Sequence, residues 1–118
     1  MKEETDITRA ITYGAGILTC ESIRHAQLES KVALSQGKKV DVILRLSSGN
    51  QFGMSEADIM SILGNQVKHP NLDIYGIHYY SGTQKKKRQI DKDFEKLDAA
   101  LSRLRERTGF VPRLVEVG

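Results

Sequence analysis

The chain has 118 residues, 39% of them hydrophobic and 28% charged, with 10 Gly, 2 Pro, one Cys and no Trp. This suits one domain with a modest core and is too apolar for a disordered chain; the lone Cys20 excludes an intrachain disulfide framework and fits a reducing cytoplasm. No apolar run nears the ~20 residues that span a bilayer, Met1 to Asp6 is too acidic for a signal or transit peptide, and a net charge of +3 permits an acidic partner without implying one.

In chain order, Ile7, Ala10, Ile11 and Gly14 read as the end of a helix. Ala15 to Thr19 is a short apolar run of the kind covered on both faces, which predicts a strand of a parallel sheet. A helix is expected from about Ser22 to Ser35, although Ile23, Ala26, Leu28, Val32 and Ala33 make no clean stripe; Gly37 ends it. Val40 to Leu46 is the strongest strand signal. Ser55, with Asp58 three residues on, caps a helix that buries Ile59, Ile62 and Leu63 and stops at His69-Pro70-Asn71. Leu72 to Ile77 is the third strand. Ile90, Phe94, Leu97, Leu101 and Leu104 then fall on one helical face, stopped by Gly109, and Leu114 to Val117 is the last strand.

The order is β-α-β-α-β-α-β, with strands roughly 25 to 40 residues apart as right-handed βαβ units require. Opening on a helix end and closing on a strand is the pattern of a piece cut from a larger α/β protein. Ligand sites of such sheets lie beyond the carboxyl ends of the strands.

Four features bear on chemistry. Gly76-Ile77-His78-Tyr79-Tyr80-Ser81-Gly82-Thr83-Gln84 combines an imidazole, two phenols, small hydroxyls and a glycine that allows close backbone approach. It reads equally as a site for a flat ring and a phosphate, or as an ordinary strand exit. Arg45 is the single charge late in the strong strand, so a site or an ion pair is expected there. Glu116-Val117-Gly118 has the look of the start of a Gly-rich phosphate loop. Lys85 to Arg88 is a basic run best read as a solvated loop, since no exposed aromatics interleave it and no nucleic-acid motif is present. His25, His69 and Cys20 have no partners at metal-ligand spacing.

Ile11 to Ser22, Leu44-Arg45-Leu46, Gln51-Phe52-Gly53-Met54, Gly76-Ile77-His78 through Gly82-Thr83-Gln84, and Leu114 to Gly118 occur in an order that resembles one family. The chain resembles the barrel domain of fold-type III pyridoxal-phosphate decarboxylases, the group of diaminopimelate, ornithine and arginine decarboxylases. The resemblance implies an α/β partial (β/α)8 TIM barrel of about four parallel strands and three helices, the middle of the domain, with pyridoxal 5'-phosphate (PLP) as cofactor of the parent enzyme. It places Arg45 near the cofactor ring and matches Gly82 and Thr83 to the Gly-Ser pair that holds its phosphate. It matches His78 to the first histidine of the His-x-His pattern, and Gly118 to the first glycine of the phosphate loop. The second histidine position is Tyr80 here, and a phenol also stacks on a ring.

By the same resemblance, the Schiff-base lysine lies before Met1. The acidic partner of the pyridine nitrogen and the second domain, with the cysteine given across the dimer interface, lie after Gly118; Cys20 does not match that cysteine. The implied function is a fragment of an amino-acid decarboxylase, a carbon–carbon lyase, inactive and without cofactor on its own. The alternatives are a non-catalytic PLP-barrel relative with a regulatory or cofactor-carrying role, and a free-standing small α/β binding module. A half barrel exposes two sheet edges and an inner face, so it is expected to pair with a copy of itself or aggregate. An amino-acid substrate in the parent, no nucleic acid and no membrane complete the expectation.

Overall fold

The computed structural model describes residues 2–14, 16–47, 53–80 and 87–117, with the backbone alone at 2, 3, 67, 80, 87–90, 93 and 117. Four strands and four α-helices alternate: α1 (Lys2–Thr12), β1 (Ile17–Cys20), α2 (Ile23–Ser35), β2 (Val40–Ser47), α3 (Glu56–Gly64), β3 (Leu72–Tyr80), α4 (Lys87–Thr108) and β4 (Leu114–Val117), with a 3-10 turn at Gln66–Lys68. The strands form one parallel sheet in the order β1-β2-β3-β4, the arrangement that successive right-handed crossovers produce. The partial barrel expected from the sequence is therefore present, with four helices in place of three: the opening segment is a full helix of 11 residues.

The helices cover one face of the sheet. Cys20 of β1, Val42, Leu44 and Leu46 of β2, and Ile74, Ile77 and Tyr79 of β3 are buried against them in one core with Ala26, Ile59, Ile62 and Leu104. Their alternation slips once. The register shifts between Val42 and Ile43, so Tyr75 is an extra residue, and Ile74 and Ile77 both reach the core. The opposite face carries Asp41, Ile43, Arg45 and Ser47 of β2, with Gly76 and His78 of β3 and Glu116 of β4 beside them. Ile43 is buried there, apart from the main core.

Local chemistry fixes the helix ends. Ser22 accepts a hydrogen bond from the His25 amide at 3.0 Å, and Ser55 accepts from the Asp58 amide at 3.2 Å, the capping expected from sequence. α3 ends at Gly64, earlier than His69-Pro70-Asn71 suggested, because the chain tightens into the 3-10 turn first. Lys38 Nζ donates to the Ile11 and Thr12 carbonyls, placing a cation on the open end of α1 and tying it beneath α2. Gly109 stops α4 at φ 74°, its amide donating to the Arg105 carbonyl at 2.8 Å.

At the amino ends of the strands, Arg113 donates to Asp73 at 2.7 Å and lies 4.6 Å from the centroid of the Tyr75 ring, tying β4 to β3. The Arg113 guanidinium holds the Asp73 carboxyl below its usual range. In barrels of this kind the amino-terminal rim serves stability and the carboxyl rim serves chemistry. Among the described residues no helix is long and apolar enough to cross a membrane.

Candidate functional site

One cross-strand row of polar residues occupies the carboxyl ends of all four strands. Arg45 of β2 is paired in register with His78 of β3, and His78 with Glu116 of β4. Glu21 follows Cys20, the register partner of Leu44, and so comes beside Arg45. Arg45 Nη1 donates to Glu21 Oε1 at 2.8 Å. The row thus reads acid, guanidinium, imidazole, acid across the sheet face that a closed barrel turns inward.

The backbone of Arg45 is clamped from above. After β2 the chain returns over its end, where the Met54 amide donates to the Arg45 carbonyl and the Ser47 amide to the Met54 carbonyl, each at 2.8 Å. The crossing is tight. A Cβ on Gly53 would stand 3.0 Å from the Arg45 carbonyl oxygen, a tight contact, and at φ 83° the backbone itself favours glycine. The Gln51 to Met54 motif therefore has a visible purpose in its second half; Gln51 and Phe52 lie outside the described residues.

Of the residues the sequence singled out, the structure brings Arg45 and His78 together. Tyr80 is the last residue of β3, paired with Ser47. Gly82, Thr83 and Gly118 lie outside the described residues, as do Lys85 and Lys86, while Lys87 and Arg88 open α4 rather than a loop. Sequence reasoning missed Glu21 as the partner of Arg45. The available signal was an acid immediately after one strand and a base near the end of the next, which parallel pairing sets side by side. It also missed Glu116 as the neighbour of His78, since that follows only from the β3–β4 register.

Two other polar groups are structural. Arg103 of α4 grips both carboxylate oxygens of Glu56, at 2.5 and 2.8 Å, and holds that carboxyl below its usual range. This pair borders a groove of about 290 Å³ with Leu46 and Tyr79, which lie on the helix-covered side of the sheet. Among the described residues no cluster of three or more His, Cys, Asp or Glu could hold a metal.

Cys20 is not a nucleophile. Burial, reinforced by the nearby Glu29 carboxyl, pushes its thiol up to about 12, and its Sγ donates to the Ser22 carbonyl at 3.3 Å. Because the thiolate is the reactive form, native protein is expected to resist iodoacetamide at about pH 8 and to label fully in urea. Comparable labelling rates in the two states, read by mass spectrometry, would contradict this burial.

Parallel strands, helices on one face and a polar row at the carboxyl rim define a chain of the (β/α)8-barrel type. This chain belongs to the alanine racemase N-terminal domain family, whose model matches residues 2–118, a family of PLP-binding barrels of fold type III. It is similar to the diaminopimelate decarboxylase of Neisseria meningitidis serogroup A / serotype 4A, with 32% identity over 98 residues, covering 70% of this chain and 24% of that protein. It superposes on the alanine racemase of Clostridium difficile 630 with a TM-score of 0.80 at 18% identity, covering 98% of this chain and 31% of that one. PipY of Synechococcus elongatus PCC7942, solved with PLP bound, gives a TM-score of 0.79 at 15% identity, covering 97% of this chain and 53% of that one.

The likeness to the two solved structures is one of fold. The chain spans about a quarter to a half of the length of these relatives. The motif resemblance pointed to the decarboxylase branch alone, whereas the family takes in alanine racemases as well.

Proposed function

We propose that this chain forms the ring-side wall of the PLP site of a cytoplasmic amino-acid decarboxylase, a carbon–carbon lyase. The 32% identity to a diaminopimelate decarboxylase carries the choice of decarboxylation over racemisation. The residues fit the cofactor's ring end: a flat pyridine bearing a phenolate oxygen suits a cation, an imidazole and a stacking ring, and the register sets the positions of Arg45, His78 and Tyr80 at the carboxyl ends of adjacent strands. When bound, PLP supplies the electron sink for the chemistry at the substrate's α-carbon.

The chain's own residues position and balance charge. Glu21 holds the Arg45 guanidinium and the Gly53–Met54 crossing holds its backbone, so that the cation meets an anionic group with little reorganisation. His78, the register partner of both Arg45 and Glu116, supplies the imidazole of the row. Tyr80 is the stacking residue, and Gly82, Thr83 and Gly118 hold phosphate.

No lysine of these 118 residues occupies a position that the motif resemblance gives to the Schiff-base lysine, so the chain by itself is expected not to decarboxylate. The test is an absorbance titration of the purified chain with PLP between ~330 and ~430 nm. No saturable change is expected. Stoichiometric binding that disappears in Tyr80→Ala or Thr83→Ala would overturn the decarboxylase reading in favour of a non-catalytic cofactor carrier. In the complete enzyme, Tyr80→Ala is expected to lower both cofactor occupancy and turnover; unchanged values would remove the stacking role.

A further inference from the structure

We infer that the groove between α3 and α4, at the carboxyl end of the sheet, binds a small organic carboxylate, with its head on Lys96 and its apolar body on Leu46, Tyr79 and Ala100. The inference rests on the groove and not on the cofactor reading. The floor comes from the two inner strands, β2 and β3, and the walls from α3 and α4, so the edges of the sheet take no part in it. The groove lies on the helix-covered face. The thickness of the sheet separates it from Arg45 and His78.

Shape comes first. The groove holds about 290 Å³, at the small end of the range for ligand pockets. Leu46, Tyr79 and Ala100 at its base are buried members of the core, so a ligand there meets an apolar floor that already exists. Glu56 and Arg103 stand at the side as a two-pronged ion pair, a wall fixed before any ligand arrives.

Charge then sets the sign of the ligand. By helical spacing Lys92, Lys96, Arg103 and Arg107 form one stripe along α4. The stripe is turned toward α3: Arg103 grips both oxygens of Glu56, and Arg107 adds to the pull that keeps that carboxyl ionised. Glu56 is thereby fully engaged. Lys96 lines the groove two turns before Arg103 and has no hydrogen-bond or ion-pair partner among the described residues. A cationic ligand would meet this ammonium and find the acid of the groove already taken. One unpaired ammonium beside an apolar floor calls for a single negative charge on an apolar body, which an aliphatic carboxylate supplies.

Hexanoate is the probe. Titrated into the purified chain at constant ionic strength, it is expected to give saturable shifts in proton–nitrogen correlation spectra at Leu46, Ser47, Glu56 and Ala100. A ligand of this size should show a Kd on the order of 1 mM. Hexylamine, which reverses the charge, and inorganic phosphate, which lacks the apolar body, give no saturable shift there. Lys96→Gln, at an exposed helix position, weakens hexanoate about tenfold, whereas Lys96→Arg keeps its binding. Lys92→Gln, one turn away and outside the groove, leaves it unchanged. Shifts that fail to saturate or to centre on the groove, equal binding of hexylamine or phosphate, or wild-type affinity in Lys96→Gln would each overturn the site.

Discussion

Gly76→Ala is expected to destabilise the protein by about 3 kcal/mol, the cost of overpacking where backbone must give way. Gly76 is buried in β3 opposite Leu114, and a Cβ there would lie 2.1 Å from the Leu114 carbonyl oxygen and 2.9 Å from its carbonyl carbon. No rotamer relieves that contact, because the obstacle is the neighbouring main chain. β4 is four residues long and is held from one side only among the described residues, so it is the element that yields. The matching control is Gly64→Ala at the end of α3, where nothing lies within 4 Å and alanine should stabilise by about 0.5 kcal/mol. Urea midpoints read both changes, and hydrogen exchange at Leu114 to Val117 locates the loss. A midpoint in Gly76→Ala equal to that of Gly64→Ala would show that β3 and β4 do not approach so closely.

Gly76 also shows what the sequence conveys and what it leaves out. A glycine in that motif reads as room for a ligand, yet at Gly76 the approaching group is the neighbouring strand, and only the β3–β4 register reveals it. The strands themselves were legible, because a sheet covered on both faces needs near-continuous apolar runs; Val40 to Leu46 and Leu114 to Val117 lie within a residue of the observed spans. β3 runs three residues past Ile77, through His78, Tyr79 and Tyr80. That polar-aromatic stretch resembles a loop exit but is held in the ladder by Arg45, Leu46 and Ser47. Phe94 was expected in the core stripe of α4. The stripe that enters the core is Leu97, Ala100 and Leu104, and Phe94 is left on the flank. Arg45 was legible as a site or an ion pair. Its partner Glu21 is 24 residues away, a distance that only the fold closes.

The buried Glu29 carboxyl is expected to make stability fall as pH rises from about 4.5 to about 8. The residue is 1% exposed in α2, and among the described residues its Oε1 has no hydrogen-bond partner. Burial pushes the carboxyl from 4.5 up to about 8, against a smaller opposing pull from the Cys20 thiol. Because the folded value is raised, the stability linked to this group is fully present below the unfolded value of 4.5 and is lost as pH rises through about 8. The full change is on the order of 5 kcal/mol, a large fraction of a small domain's stability.

Urea midpoints between about pH 5 and pH 7.5 read most of this loss before the unfolded Cys20 thiol begins to ionise. Glu29→Gln keeps the shape and removes the charge, so its midpoint should lack the decline that Glu29 causes and exceed the wild type's at the alkaline end, while the rise with pH from the burial-lowered His69 imidazole is common to both proteins. Parallel curves for the two proteins would mean that the carboxyl finds a partner or water when it ionises. α2 packs Glu29 against Cys20, and Cys20 precedes Glu21, whose carboxylate accepts from Arg45.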